Sequence, residues 1–125
     1  MGTFRDLTVY KKSFELAVEI YNISKGFPKE ELYGLTGQIR RSSRSVSSSL
    51  AEGYRKRQYE AHFVSKSSDA DMENTETQVW LDFALAFGYI NKKVHENLMS
   101  KSEEIGKLIN HMITNPKKYI GNIKS

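Results

Sequence analysis

The sequence contains no cysteine among its 125 residues. Disulfide bonds and thiolate metal sites are therefore excluded, and the composition fits a reducing compartment. Only two prolines occur, and no segment approaches the roughly 20 apolar residues that a membrane-spanning helix requires. Residues 1–10 also lack the apolar run of a signal peptide. We therefore expect a cytoplasmic protein that does not enter a membrane.

The motifs of common active sites are also missing. No glutamate stands three positions before His62, His95 or His111, so the Glu-x-x-His pairs of a di-metal helical bundle are absent. No serine lies in a Gly-x-Ser-x-Gly elbow, and the glycines form neither a P-loop nor a dinucleotide-binding fingerprint. The acidic run from Asp69 to Glu76 lacks EF-hand spacing, and we interpret it as a solvated or interface-facing helix surface. These absences predict a protein that is not an enzyme and needs no metal or cofactor.

Apolar residues recur at three- and four-residue steps in four segments, which predict an all-α protein. The predicted helices cover residues 7–24, Leu35 to a C-terminal cap at Gly53, residues 59–87, and a segment from an N-terminal cap at Asn91 to just before Pro116. Short connections favour an antiparallel, up-down-up-down four-helix bundle over residues 1–116. Residues 117–125 are predicted to form a short, basic, loosely held tail.

The first and third helices have distinctive faces. In the first helix, an apolar stripe widened by Leu16, Ile20 and Ile23 is predicted to face the core. The other members of the stripe are Leu7, Tyr10, Phe14, Ala17 and Tyr21. The third helix presents a seven-residue repeat whose inward positions are partly polar. These positions are Phe63, Ser67, Ala70, Asn74, Thr77, Leu81 and Ala84.

The third helix also predicts self-association. Its second half is apolar on almost every side, which is typical of a helix that is buried on more than one side. Apolar residues make up only 38% of the chain, so we expect partner subunits to complete the hydrophobic surface. The residues predicted to form an oligomer interface are Trp80, Leu81 and Phe83.

The net charge of +4 is unevenly distributed along the chain. Residues 1–57 carry 11 basic and 6 acidic residues, whereas residues 58–90 carry one lysine and six acids. Arginine suits phosphate because its planar guanidinium donates two parallel hydrogen bonds. The predicted nucleic-acid-binding residues, which we call the basic cluster, are Arg40, Arg41, Arg44, Arg55, Lys56 and Arg57. Tyr54 and Tyr59 flank residues 55–57, the second triplet of this cluster, and would stack on unpaired bases.

A second interpretation of the basic cluster stays open at this point. Arg40 and Arg44 would pair with the acids of the third helix, within one chain or between subunits. The protein would then be an interaction scaffold whose basic surface serves an acidic partner protein or self-assembly.

The order of several short motifs resembles a known family over about residues 4–113. The motifs are FRDL (4–7), VY (9–10), IY (20–21), FP (27–28), ELYGL (31–35), QIRR (38–41), SV (45–46), LAEGY (50–54), ETQ (76–78) and GYI (88–90). They resemble the four-helix bundle proteins, also called 23S rRNA intervening-sequence proteins, which include the accessory protein of diversity-generating retroelements.

The resemblance implies several properties. The fold would be a four-helix bundle that assembles as a homopentameric barrel with a basic surface. In the retroelement branch it also implies binding to RNA or DNA and to a reverse transcriptase. A shared fold hosts many functions, so the resemblance does not fix the task of this chain.

Overall fold

The computed structural model describes residues 2–120, and all regular elements in that range are helical. Two short 3-10 turns, Phe4–Asp6 and Lys29–Glu31, precede the first and second long helices. The predicted basic tail lies outside the described residues from position 121 onward. The α-helices are α1 (Thr8–Ser24), α2 (Leu35–Arg55), α3 (Glu60–Ala86), α4 (Lys92–Thr114) and α5 (Lys117–Ile120).

The four long helices form a bundle, as the sequence predicts. Helix α2 packs most extensively on α3, α3 packs on α4, and α1 packs on both α2 and α4. The pairs α1/α3 and α2/α4 therefore lie diagonally across the bundle. Only residues 56–59 and 87–91 join α2 to α3 and α3 to α4, and such short links require antiparallel neighbours.

The core confirms the seven-residue repeat of α3. The buried residues of that helix are Phe63, Ser67, Ala70, Asn74, Thr77, Leu81 and Ala84, the same set that the spacing predicts. Polar members of the core are hydrogen-bonded across helices. Ser42 and Thr77 share a hydrogen bond of 2.8 Å between α2 and α3, and the Asn74 side chain donates to the Ser102 carbonyl of α4 at 2.9 Å.

The helix ends follow local rules. The Asn91 side chain accepts a 2.8 Å hydrogen bond from the Val94 amide, which confirms it as the N-terminal cap of α4. Gly88 ends α3 with a φ of +78°, a conformation that favours glycine. Glu31 accepts hydrogen bonds from the Leu35 amide and the Tyr89 hydroxyl, and these two bonds lower the pKa of its carboxyl group. These bonds connect the segment before α2 with the loop after α3 at one end of the bundle.

The prediction that Gly53 caps α2 is wrong. Helix α2 continues to Arg55, and Gly53 is buried inside it. A Cβ atom at Gly53 would lie 3.0 Å from the Lys66 Cβ and 3.6 Å from the Phe63 carbonyl oxygen. The glycine is therefore explained by the close approach of α3, and not by the end of a helix.

The tail prediction needs a correction over its first four residues. Lys117–Ile120 form α5, and the Tyr119 ring stacks on Phe63 with 5.8 Å between ring centroids. The Tyr119 hydroxyl also forms a 2.8 Å hydrogen bond with Nδ1 of His111. Burial of Tyr119 raises the pKa of its phenol. An aromatic side chain anchors this segment, which the count of lysines did not indicate.

Replacing Gly53 with leucine should reduce the free energy of unfolding by about 1–3 kcal/mol, because the added side chain forces α2 and α3 apart. Urea denaturation measures the change. Gly26→Leu is the control, since Gly26 is exposed and an added Cβ there lies 3.6 Å from its nearest atom. That control should change stability by less than about 0.5 kcal/mol. An unchanged stability for Gly53→Leu would contradict the close packing.

Candidate nucleic-acid interface

The basic cluster is divided among three places on the bundle. Positions 40, 44, 51 and 55 follow one another along one side of α2, because steps of three and four residues return to the same helix face. Arg41 is turned about 100° from Arg40, since one residue advances a 3.6-residue turn by that angle. Lys56 and Arg57 lie beyond the last residue of the helix.

Arg41 is the one member of the basic cluster that meets acids of α3 within the described chain. Its Nη1 atom lies 3.4 Å from Glu73, and its Nη2 atom donates a hydrogen bond to Glu76. The bond to Glu76 is the main cause that raises the pKa of Arg41. Trp80 donates its indole N–H to the same Glu76 carboxylate at 3.1 Å. Arg41 is therefore held within the chain and partly neutralised.

The alternative pairing of Arg40 and Arg44 with α3 acids is wrong within the chain. Arg40 donates from Nε to the Ser24 hydroxyl at 2.7 Å, and its guanidinium lies 4.6 Å from the centre of the Tyr21 ring. Arg44 donates from Nε to the Arg40 carbonyl at 3.0 Å. In residues 2–120 neither arginine forms a salt bridge. Both retain their charge for an external partner.

The second triplet differs in its contacts. Arg57 donates to the Tyr54 carbonyl at 3.0 Å, and its guanidinium lies 3.8 Å from the centre of the Tyr54 ring. Arg55 and Lys56 are exposed and form no salt bridge with a described residue. One face of Tyr54 is thus occupied by the protein itself, which reduces its value as a stacking surface.

A groove lies where the end of α2 meets the start of α3. Its volume is about 450 Å³, and we call it the corner groove. Sequence reasoning missed the contributions of α3, His62 and Lys66. The four-residue connection carries the signal, because it returns the first turns of α3 beside the last turns of α2. The lining residues are Ala51, Glu52, Arg55, Lys56, His62 and Lys66.

A second, apolar groove of about 500 Å³ runs between α1 and α2, and we call it the α1 groove. Phe14, Val18 and Tyr21 are each about half exposed along it. The predicted core stripe of α1 is therefore only partly right, since Leu16, Ala17 and Ile20 are buried but Phe14 and Tyr21 are not. The residues that line the α1 groove are Phe4, Tyr10, Phe14, Ala17, Val18, Tyr21, Arg44, Ser47, Ser48 and Ala51.

The predicted oligomer interface on α3 is only partly exposed. Phe83 is 43% exposed and contacts Trp80 and Phe87 through ring centroids 6.0 and 5.6 Å away. Leu81 is 1% exposed and belongs to the core of the chain, so its assignment to an interface is wrong. Trp80 shares the Glu76 carboxylate with Arg41, so this aromatic face lies on the α2/α3 side of the bundle, whereas the α1 groove lies between α1 and α2.

Two further observations bear on the function. Within residues 2–120, no group of three or more His, Asp or Glu side chains is placed to hold a metal ion. No helix of this part of the chain is long and apolar enough to cross a membrane.

Comparison with known proteins identifies a family and a similar solved structure. The sequence profile of a family described as 23S rRNA-intervening sequence protein matches residues 5–111. A solved structure from Bacteroides thetaiotaomicron, a protein with unknown function from the S23 ribosomal protein family, has a TM-score of 0.77 to this chain. The two sequences are 33% identical, with 85% of this chain and 95% of that chain covered. Among curated proteins, none matches this sequence.

Replacing Arg41 with glutamine should lower the free energy of unfolding by about 0.2–1 kcal/mol at low salt, because Glu73 and Glu76 lose their cation at a partly exposed site. The loss should shrink at high salt, which screens surface charges. Urea denaturation at two salt concentrations measures both effects. Arg55→Gln is the matched control, since Arg55 is exposed and forms no salt bridge with a described residue. Equal effects of the two substitutions would contradict the pairing.

Proposed function

This chain belongs to the 23S rRNA-intervening sequence protein family, and from that membership we propose that it is a non-catalytic, homo-oligomeric accessory protein that binds nucleic acid. Its basic surface would contact phosphates. The family description associates its members with an rRNA intervening sequence. The similar protein from Bacteroides thetaiotaomicron has unknown function, so the argument depends on the charges of this chain.

The observation that carries the proposal is the number of basic side chains without an acidic partner. Five of the six members of the basic cluster form no salt bridge in residues 2–120, whereas Arg41 is paired with α3. An unpaired cation attracts phosphate without first losing a protein partner. The five are Arg40, Arg44, Arg55, Lys56 and Arg57.

Self-association is the second part of the proposal. The α1 groove and the aromatic face at Phe83 are both apolar, and they differ in composition and lie on different faces of the bundle. Contact between two different faces is heterologous, and it generates a closed ring when the rotation between copies closes. The family resemblance implies that five copies form the ring. A reverse transcriptase remains a candidate partner through the same resemblance.

One observation favours the scaffold as a second candidate function. Arg44 lines the apolar α1 groove, where its charge would meet a protein partner as readily as a phosphate. In that case the arginine serves an acidic partner or the contact between copies. Nucleic-acid retention and oligomer mass, measured on the same variant, separate the two candidates.

Binding to a short labelled RNA or DNA should weaken steeply with salt. Five phosphate contacts on a single strand give a slope of log K against log salt of about −3.5. Arg55→Glu/Lys56→Glu should cause loss of retention, with an unchanged oligomer mass, because it removes two unpaired cations, adds two repelling charges and leaves the lining of the α1 groove intact. Retention on a labelled oligonucleotide across a salt series, with the mass measured by light scattering, tests both statements.

The matched control for this test is Lys92→Glu/Lys93→Glu. These lysines are exposed at the start of α4, diagonally across the bundle from α2, and the charge change is the same. Retention should stay near the wild-type value. A changed mass for Arg55→Glu/Lys56→Glu would favour the scaffold, and salt-insensitive binding would contradict phosphate contact.

The ring contact has its own test. Phe14→Glu should damage the α1 groove, and Phe83→Glu should damage the aromatic face of α3, so each variant alone should be a monomer. A mixture of the two should form dimers, because each copy keeps one intact face. Light scattering of the separate and mixed samples measures this, and circular dichroism checks the fold.

Met72→Glu is the control for the ring contact, since Met72 is an exposed apolar residue of the same helix α3. It should leave the wild-type mass unchanged. Monomers that persist in the mixture would overturn the heterologous arrangement, and so would wild-type mass in either single variant.

A further inference from the structure

We infer that the corner groove, with Tyr59 at its edge, is a subsite for one unpaired nucleotide, so that the protein prefers single-stranded nucleic acid to a duplex. This inference rests on the proposed function. Arg55 and Lys56 contact the phosphates of the strand, and the exposed ring of Tyr59 stacks on a base. Three features of the groove carry the inference: its shape, its charge and its ring.

The size of the corner groove suits one nucleotide of a longer strand. A volume of about 450 Å³ falls within the range of small-molecule clefts, about 300–1,000 Å³. The walls are the last turns of α2 and the first turns of α3, which the short connection at residues 56–59 joins. Such a concave corner admits one strand with its bases turned outward.

The charge of the corner groove is positive. Glu52 is its only acidic lining residue and is held by Lys66, whose Nζ atom lies 2.9 Å from Glu52 Oε1. That contact is the main cause that raises the pKa of Lys66, which therefore stays charged. Lys66 also lies 3.8 Å from Asp69, so two carboxylates share it. Arg55 and Lys56 form no salt bridge with a described residue, and they supply the positive charge for a phosphate. His62 adds a ring nitrogen that can donate a further hydrogen bond.

Tyr59 supplies the free ring at the edge of the corner groove. It is 54% exposed, and its ring centroid lies 5.8 Å from that of His62, a lining residue. Tyr54, the other tyrosine near the triplet, has one face covered by the Arg57 guanidinium. Glu60, next to Tyr59, is turned toward Lys117, 3.6 Å away. The stacking surface is therefore Tyr59, supported by His62.

A tyrosine that stacks on a base distinguishes single-stranded from double-stranded nucleic acid. Every base has a π-face, but in a duplex that face is covered by the neighbouring base pairs. Only an unpaired base can lie on Tyr59 while its phosphates reach Arg55 and Lys56. A duplex would use the basic side chains alone, and it would lose the stacking contribution.

The test is fluorescence anisotropy with one labelled oligonucleotide, alone and annealed to its complement. The wild-type protein should bind the single strand about tenfold more tightly, a factor within the range that base–aromatic stacking gives. Tyr59→Leu should weaken binding to the single strand about tenfold and leave binding to the duplex unchanged. Tyr33→Leu is the control, because Tyr33 is 95% exposed in the loop at the other end of the bundle.

The charged part of the groove has a separate variant. Arg55→Gln/Lys56→Gln should weaken binding to both forms and reduce the salt slope for the single strand by about 1.4, as expected for two lost phosphate contacts. Lys92→Gln/Lys93→Gln should change neither value.

The outcomes separate this inference from the proposed function. Salt-dependent binding that is equal for both forms, or that Tyr59→Leu leaves unchanged, would overturn the single-strand subsite while the proposed function stands. Absence of binding to either form at low salt would overturn both. A single-strand preference lost in Tyr59→Leu and kept in Tyr33→Leu supports the inference.

Discussion

The close approach of α2 and α3 is the constraint on which the rest of the structure depends. Gly53 leaves room for the Lys66 Cβ atom, and Ser42 reaches Thr77 at 2.8 Å, so small residues allow the two helices to touch along their length. This contact fixes the rotation of α2. Its serine face then points inward, Arg41 meets the α3 acids, and Arg40 and Arg44 remain on the other side. The corner groove lies beside the same contact, where residues 56–59 join the last turns of α2 to the first turns of α3.

Hydrogen bonds in the core fix the position of the helices along their axes. Ser13 and Ser47 share a 2.9 Å bond between α1 and α2, and Asn74 and Ser102 exchange bonds between α3 and α4. A shift of one helix would leave these buried groups without partners, which costs about 1–3 kcal/mol for each group. In the described chain the Thr36 hydroxyl alone is buried without a partner. The directional hydrogen bonds of these polar residues therefore set the position of each helix along its neighbour. That position in turn decides which surface side chains of neighbouring helices lie side by side.

The sequence predicted the inward face of α3 because one seven-residue repeat occupies that helix without a competing pattern. It was only partly right for α1, where two apolar stripes run side by side and periodicity cannot decide which one faces the core, so buried Leu16 and Ile20 were grouped with exposed Phe14. Val9 and Leu16 are buried, whereas Phe14 is half exposed. It also failed to place Arg41 apart from Arg40 and Arg44, because that requires the rotation of α2 against α3. His62 and Lys66 join the groove through a tertiary contact, which spacing along one helix does not contain.

The two grooves are adjacent, since Ala51 lines both of them. In a heterologous ring, contact at the α1 groove would bring the aromatic face of the next copy beside Arg44, and the corner groove would stay open about one helical half-length away. Every copy would then present one corner groove at the same height around the axis. Binding of one strand segment raises the effective concentration of the next segment at the neighbouring groove, provided that the strand can span the distance. A few cations and one tyrosine in each copy are then sufficient for tight retention, because assembly multiplies a weak site.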